Sequence, residues 1–292
     1  MSFVESANIA PPNPLTPLAF LPVDVGIEIL AQRIFTTAAL GAWIWDFLSS
    51  IPDDITLITE NHFSTTYAVY VLSRISTIGF MFSTVIVSSQ VTAVQHCETI
   101  LMVSGIMFTF ALPSNALLFL FRAVAVFGDM PWVRYFFCVL WLAVLGTSIV
   151  IPVDFIGYAM DLGPTKYCIT KTSRQTLSIP SVFLAVYDTI LYLGISLRLS
   201  LGYGIFNTTW RGRLKAFMSG EGLGHISRHL LQSGQQYFLI AVATSILSTI
   251  DILDMSIPPT VRSIFAVPGI AIMNAMATRI HRNTKLGFIK DS

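Results

Sequence analysis

The stretch from Trp132 to Ile151, WVRYFFCVLWLAVLGTSIVI, runs for 20 residues with a single charge, Arg134, near its start. A helix needs roughly 20 mostly apolar residues to cross about 30 Å of hydrocarbon, so this segment reads as a membrane span. The pattern repeats on either side of it. Leu30–Leu48, Tyr67–Ser89 and Thr99–Phe121 precede it, and Ser181–Tyr203, Leu231–Leu253 and Pro259–Arg279 follow. Short segments rich in Pro, Gly, Asp, Thr or Arg separate them. Seven spans predict an all-α, polytopic seven-helix bundle over residues 25–282, with a flexible Pro-rich tail at 1–24 and a short basic tail at 283–292.

Composition points the same way. The chain is 54% hydrophobic and only 11% charged, whereas a soluble globular protein carries about 25% charged residues to cover its surface. A net charge of +1 offers no basic face for nucleic acid. Glu5, and the lack of Lys or Arg before Arg33, do not fit a secretory signal. Targeting is therefore assigned to the first span, and the expected location is the plasma membrane or a secretory-pathway membrane.

Positive charge sets the expected direction. Arg122 and Arg134 flank the connection after span three. Arg198, Arg211, Arg213, Lys215 and Arg228 surround the one after span five, and Arg279, Arg282, Lys285 and Lys290 close the chain. Alternate connections carry fewer cations, chiefly Lys166, Lys171 and Arg174. The positive-inside rule then places the N-terminus outside and the C-terminus in the cytoplasm. One segment, Ser49–Thr66, runs against this trend: it would be cytoplasmic, yet it holds Asp53, Asp54 and Glu60 and no cation. Asn207-Thr208-Thr209 matches a glycosylation pattern but falls on the cytoplasmic side, as a chance match.

On this topology Cys97 and Cys168 both lie on the oxidising face, and Cys138 sits inside span four. A Cys97–Cys168 disulfide is expected to pin the long outer connection over the third helix, as in many heptahelical receptors; two free thiols are the alternative. Other marks of known heptahelical families are missing. The third span ends Phe121-Arg122-Ala123, without an acidic-Arg-Tyr motif, and the last contains no Lys to hold retinal.

A different likeness emerges from the segments taken together. Trp45-Asp46-Phe47-Leu48-Ser49-Ser50-Ile51-Pro52-Asp53-Asp54-Ile55, Leu72-Ser73-Arg74 and Phe121-Arg122-Ala123-Val124-Ala125-Val126-Phe127 resemble segments of a seven-span membrane protein family abundant in mushroom-forming fungi and catalogued as a domain of unknown function. Gln232-Ser233-Gly234-Gln235-Gln236-Tyr237-Phe238 and Ala277-Thr278-Arg279-Ile280 are similar to its later segments, although Gln232 and Ser233 replace a charged pair. Cys97 and Cys168 fall where that family tends to have cysteines. The resemblance spans most of residues 30–285 and implies the same topology. It implies no activity and no site.

Function has to be sought in polar groups within the spans, which are costly unless they are paired or face a cavity. Asp46 and Arg74, at adjoining ends of spans one and two, predict a structural ion pair between those helices; the alternative is that each reaches its own interface. Asp188, about two turns into span five, is flanked by Tyr187 and followed four residues later by Tyr192 on the same face. Asp188, Tyr187, Tyr192 and Asn115 are therefore the expected ligand-binding residues, with Asp154, Asp251 and Asp254 forming an acidic outer rim. Pro113-Ser114-Asn115 predicts a kink in span three.

Glu221, His225 and His229 have one-face helical spacing, but Gly220, Gly222 and Gly224 weaken that helix, and no metal or other cofactor is expected. Nor does any catalytic constellation suggest an enzyme. Three functions remain: a receptor-like or sensory protein binding a small ligand in an outward-facing pocket, a small-solute transporter or channel lined by Asp188, Asn115 and Asn274, or a non-catalytic scaffold. The expected partners are the lipid bilayer, a small molecule, and a cytoplasmic protein or the inner leaflet at the basic loop 207–228. Packing Asp188 away from water would count against both of the first two. If the disulfide forms, the oxidised protein runs faster than the Cys97→Ser and Cys168→Ser variants on a non-reducing gel. Unchanged mobility with both thiols open to labelling refutes it.

Overall fold

The computed structural model describes residues 23–60, 64–89, 97–153, 159–161, 168–170, 178–202, 225–254, 256–257 and 264–290. Seven long helices carry the fold: α1 (Val23–Glu60), α2 (Thr65–Ser89), α3 (Cys97–Val126), α4 (Pro131–Ser148), α5 (Ser178–Gly202), α6 (His225–Leu253) and α7 (Ala266–Lys290). Between α4 and α5 a two-stranded antiparallel ladder joins β1 (Ala159–Asp161) to β2 (Cys168–Thr170), with Met160 opposite Ile169. It packs against α3 and α2.

Six of the helices, α1 to α6, are long and apolar enough to cross a membrane, so the chain is a multi-pass membrane protein. In α7, basic residues crowd the second half, and the expected seventh span begins at 259, outside the described residues. The helices overrun the expected boundaries at two places. Helix α1 continues through Ser49 and Pro52 to Glu60, about 57 Å for its 38 residues, so most of the expected acidic connection Ser49–Thr66 is helical. Likewise α7 reaches Lys290, and the expected basic tail is largely its last two turns. Polar residues do not end a helix unless they compete for its backbone, and α1 runs on even through Pro52, which costs it one backbone hydrogen bond.

Each helix packs on its sequence neighbour, and α7 returns to α1, closing a ring. Helix α3 also touches α5 and α7. It is the central helix, with 61% of its apolar stretch buried against 22% for α4. The outer face of α4 shows why: Trp132, Tyr135, Phe136, Val139 and Leu142 form an exposed apolar stripe at helical spacing, suited to lipid. Lipid tails are as apolar as these side chains, so helix association rests on close packing and interhelical hydrogen bonds. Small residues supply the first. A Cβ on Gly194 of α5 would lie 2.9 Å from the Phe137 ring of α4, and one on Gly269 of α7 would lie 2.7 Å from the Ser248 hydroxyl of α6. Short polar bonds supply the second: Thr36 to Ser88 (3.1 Å), Thr84 to Ser104 (3.2 Å), and Thr109 to the Ser148 carbonyl (3.1 Å).

Gly194→Val is expected to cost about 1–3 kcal/mol through overpacking. A Cβ on Gly146 meets nothing within 4 Å, so Gly146→Ala is neutral or slightly stabilising. The midpoint for loss of the monodisperse peak on heating in detergent checks both.

Candidate functional site

Asn274 of α7 joins four helices. Its side-chain oxygen accepts the Trp43 indole N–H from α1 at 2.9 Å. Its amide nitrogen donates to the Asn115 side-chain oxygen on α3 at 2.8 Å and lies 3.3 Å from the Ser73 carbonyl on α2. All four residues are buried. The kink residue Pro113 offers its carbonyl to the Trp141 indole of α4 at 2.9 Å. Three residues on, the Ala116 carbonyl accepts the Tyr187 hydroxyl of α5 at 3.0 Å. The polar residues of α3 thus tie the bundle together from its centre.

Toward the end where α1 and α7 finish and α2 begins, the charges form a second network. Arg279 of α7 binds Asp46 through Nε (2.8 Å) and Nη2 (2.6 Å). Arg74 of α2 donates to the Ser50 hydroxyl at 2.9 Å, and its Nη1 lies 3.9 Å from Asp54. Its guanidinium also sits over the rings of Phe47 and Tyr70, at 5.1 and 5.3 Å. The Tyr70 hydroxyl donates to Asp54 and accepts from Arg282 at 3.2 Å, and Arg282 in turn lies 3.9 Å from Asp53. His281 stacks on Tyr70 at 5.1 Å.

The expected Asp46–Arg74 ion pair is therefore replaced. Both residues are buried and paired, but with different partners. The reason lies in two features that a local reading does not supply. Ring closure brings Arg279 to α1, and the extra turns of α1 bring Asp54 to α2. The same contacts explain the acidic segment that ran against the charge pattern: Asp54 balances Arg74 of α2 from a mostly buried position, and the exposed Asp53 lies beside Arg282 of α7.

Asp188 is fully buried, and neither carboxylate oxygen has a hydrogen-bond partner. Among the described residues no ion pair reaches it. The Ser245 hydroxyl of α6, itself buried, faces it within interaction reach but short of full hydrogen-bond geometry. It lies deeper than expected. Helix α5 starts at Ser178, about 15 Å along the axis, and the neighbouring Tyr187 meets the middle of α3.

The four expected ligand-binding residues do not share one pocket. Consecutive residues on a helix point about 100° apart, so Tyr187 faces α3 and Asp188 faces α6. Asn115 belongs to the Asn274 network, and the half-buried Tyr192 packs edge-on against Phe238 at 5.6 Å. On the expected rim, Asp251 is buried, whereas Asp254 is exposed and caps the Ser256 N–H.

Trp43, Tyr70 and Ser245 have no counterpart in the sequence reading, and Ser50, Ser73 and Arg282 enter it only as parts of family-like segments or as topology-setting charge. A signal for them exists in polar stripes at helical spacing, Asp46/Ser50/Asp54 on α1 and Tyr70/Ser73/Arg74/Thr77 on α2. Residues 1–22, Asp154, Glu221, residues 207–224 and the side chains of Cys97, Cys168, His225, Arg228 and His229 lie outside the described residues. Among the described residues no cluster of His, Cys, Asp and Glu could hold a metal. No protein-family model and no curated protein matches the chain.

The exchanged pairing has a measurable signature. A double-mutant cycle of Asp46→Asn with Arg279→Gln should give a coupling of about 0.5–1 kcal/mol, reduced because Arg279 is partly exposed. Asp46→Asn with Arg74→Gln should be additive within about 0.3 kcal/mol. Unfolding in mixed micelles provides both numbers.

Proposed function

We propose that this protein is a receptor-like, sensory membrane protein in which the α5–α6 side of the bundle responds at Asp188 while α1, α2, α3 and α7 form a fixed frame. The observation that carries this reading is the fully buried Asp188 carboxyl without a bond. A carboxyl kept for packing alone would have found partners, because an unpaired charge in hydrocarbon is costly. The division of the bundle supports the rest. Among the described residues, polar contacts around Asn274, Arg74 and Asp46 join the frame helices to one another, while α6 meets α5 through Thr249 and the Ser181 carbonyl. The carboxyl is packed away from water in this arrangement, the outcome that counts against an open ligand pocket or a solute route, so the sensory reading requires a second state in which α5 and α6 part at Asp188.

A transport route past Asn115 and Asn274 has less support, since those two residues are buried and bonded to each other. With the N-terminus outside and α7 as a seventh span, the charged network lies at the cytoplasmic end. There a shift of α6 or α5 could be passed to a partner at the basic loop. The likeness to the mushroom-type family fits this orientation.

Asp188→Asn imitates the neutral, occupied carboxyl. In lipid nanodiscs it is expected to change backbone hydrogen exchange in α5 and α6 at least threefold and to leave α1, α2 and α7 as they were. A uniform change throughout the bundle would favour a scaffold. Faster Na⁺, K⁺ or solute uptake by liposomes containing the wild-type protein than by empty ones would favour a transporter.

A further inference from the structure

We infer that the seam between α5 and α6 is a proton-binding site with its own access path, in which Asp188 holds the proton and the hydroxyls of Ser245 and Thr249 lead to it. This deepens the sensory reading and rests on it. Two buried groups face each other here within interaction reach but short of full hydrogen-bond geometry, the Asp188 carboxyl and the Ser245 hydroxyl. A protonated carboxyl donates its O–H to Ser245 Oγ and satisfies both. When the proton leaves, the Ser245 hydroxyl turns and donates to the carboxylate, which keeps a bond but leaves a charge in the apolar interior. One proton therefore reverses a hydrogen bond between two helices.

The path continues away from Asp188. One turn along α6, Thr249 Oγ1 reaches the Ser245 carbonyl at 2.8 Å and the Ser181 carbonyl of α5 at 3.1 Å. Its oxygen lone pairs stay open to accept. Asp251 follows two residues later, close to the end of α6 at Leu253. Exposure along this line is 7% at Ser245, 9% at Thr249 and 5% at Asp251, falling to 0% at Asp188. A seam closed this tightly would have to separate to admit a metal cation or an amine. The Ser245 hydroxyl is bonded to no neighbour in this arrangement, so it is free to turn from Asp188 toward Thr249 and carry a proton between them while the helices stay in contact.

The other groups around the site leave Asp188 as the one to titrate. On α5 the Tyr187 hydroxyl is held by the Ala116 carbonyl. Helix α4 contributes the half-buried Cys138, close to Tyr187. Beside Ala116, α3 carries the uncharged Ser114 and Asn115, with the half-buried Arg122 six residues further along, and α6 carries the carboxyl of Asp251. Among the described residues no Lys, Arg or His pairs with Asp188.

Infrared difference spectra of the full-length protein in nanodiscs, taken between about pH 4 and pH 10, test the assignment. A protonated-carboxyl C=O band should appear on the acid side, vanish in Asp188→Asn, persist in Asp251→Asn, and return at a shifted frequency in Asp188→Glu. Ser245→Ala combined with Thr249→Val should keep the band but slow its shift in D₂O at least tenfold. A band unchanged in Asp188→Asn, or one whose size follows Na⁺ at constant pH, overturns the proton site. An unchanged exchange rate in the double variant overturns the path. The sensory reading is judged separately, by hydrogen exchange of α5 and α6 in Asp188→Asn, so either can fail while the other stands.

Discussion

Inside a bilayer a donor or acceptor has no water to turn to, so each polar side chain must find its partner within the protein. Asn274 meets that constraint with both ends of its amide, and in doing so it fixes where α1, α2 and α3 stand relative to α7. The Ala116 and Pro113 carbonyls then position α5 and α4 against the same central helix. The arrangement of the bundle follows from a small set of bonds buried near its middle, while the apolar faces supply area without direction.

The charged network obeys the same constraint at one end of the bundle. Arg74 has a hydroxyl, a carboxylate and two aromatic faces around it, and Arg282 shares Tyr70 with Asp54. Removing one partner from such a group leaves a charge uncompensated, which is worse than never having had the pair. Asp188 departs from this pattern. Asp46, Asp54 and Asn274 are all bonded across helices, whereas neither oxygen of the buried Asp188 carboxyl is, and the proposed sensory role rests on that difference.

Much of the architecture was legible in the sequence because lipid imposes a length and a composition on each crossing segment. Six of the expected spans correspond to long apolar helices. The polar residues that hold the bundle could be named as candidates, since Asp46, Arg74, Asn115, Asp188 and Asn274 all interrupt apolar runs. Their partners could not. Asp46 and Arg279 lie 233 positions apart, and Trp43 and Asn274 lie 231 apart. Such pairings depend on ring closure, which hydrophobic spacing does not encode. The length of α1 was missed for another reason: charged residues after Leu48 suggested a loop, whereas Asp53 and Asp54 stay helical because α2 and α7 supply their counter-charges.

The position of Asn274 also bears on how the protein is made. It lies on α7, which leaves the ribosome after the other six described helices, yet the first three helices need it. Until α7 arrives, the Trp43 indole and the Asn115 amide sit in the membrane without the group that joins them. A nascent bundle stalled at that stage presents polar edges to lipid, a feature by which membrane quality control could distinguish an unfinished chain from a complete one.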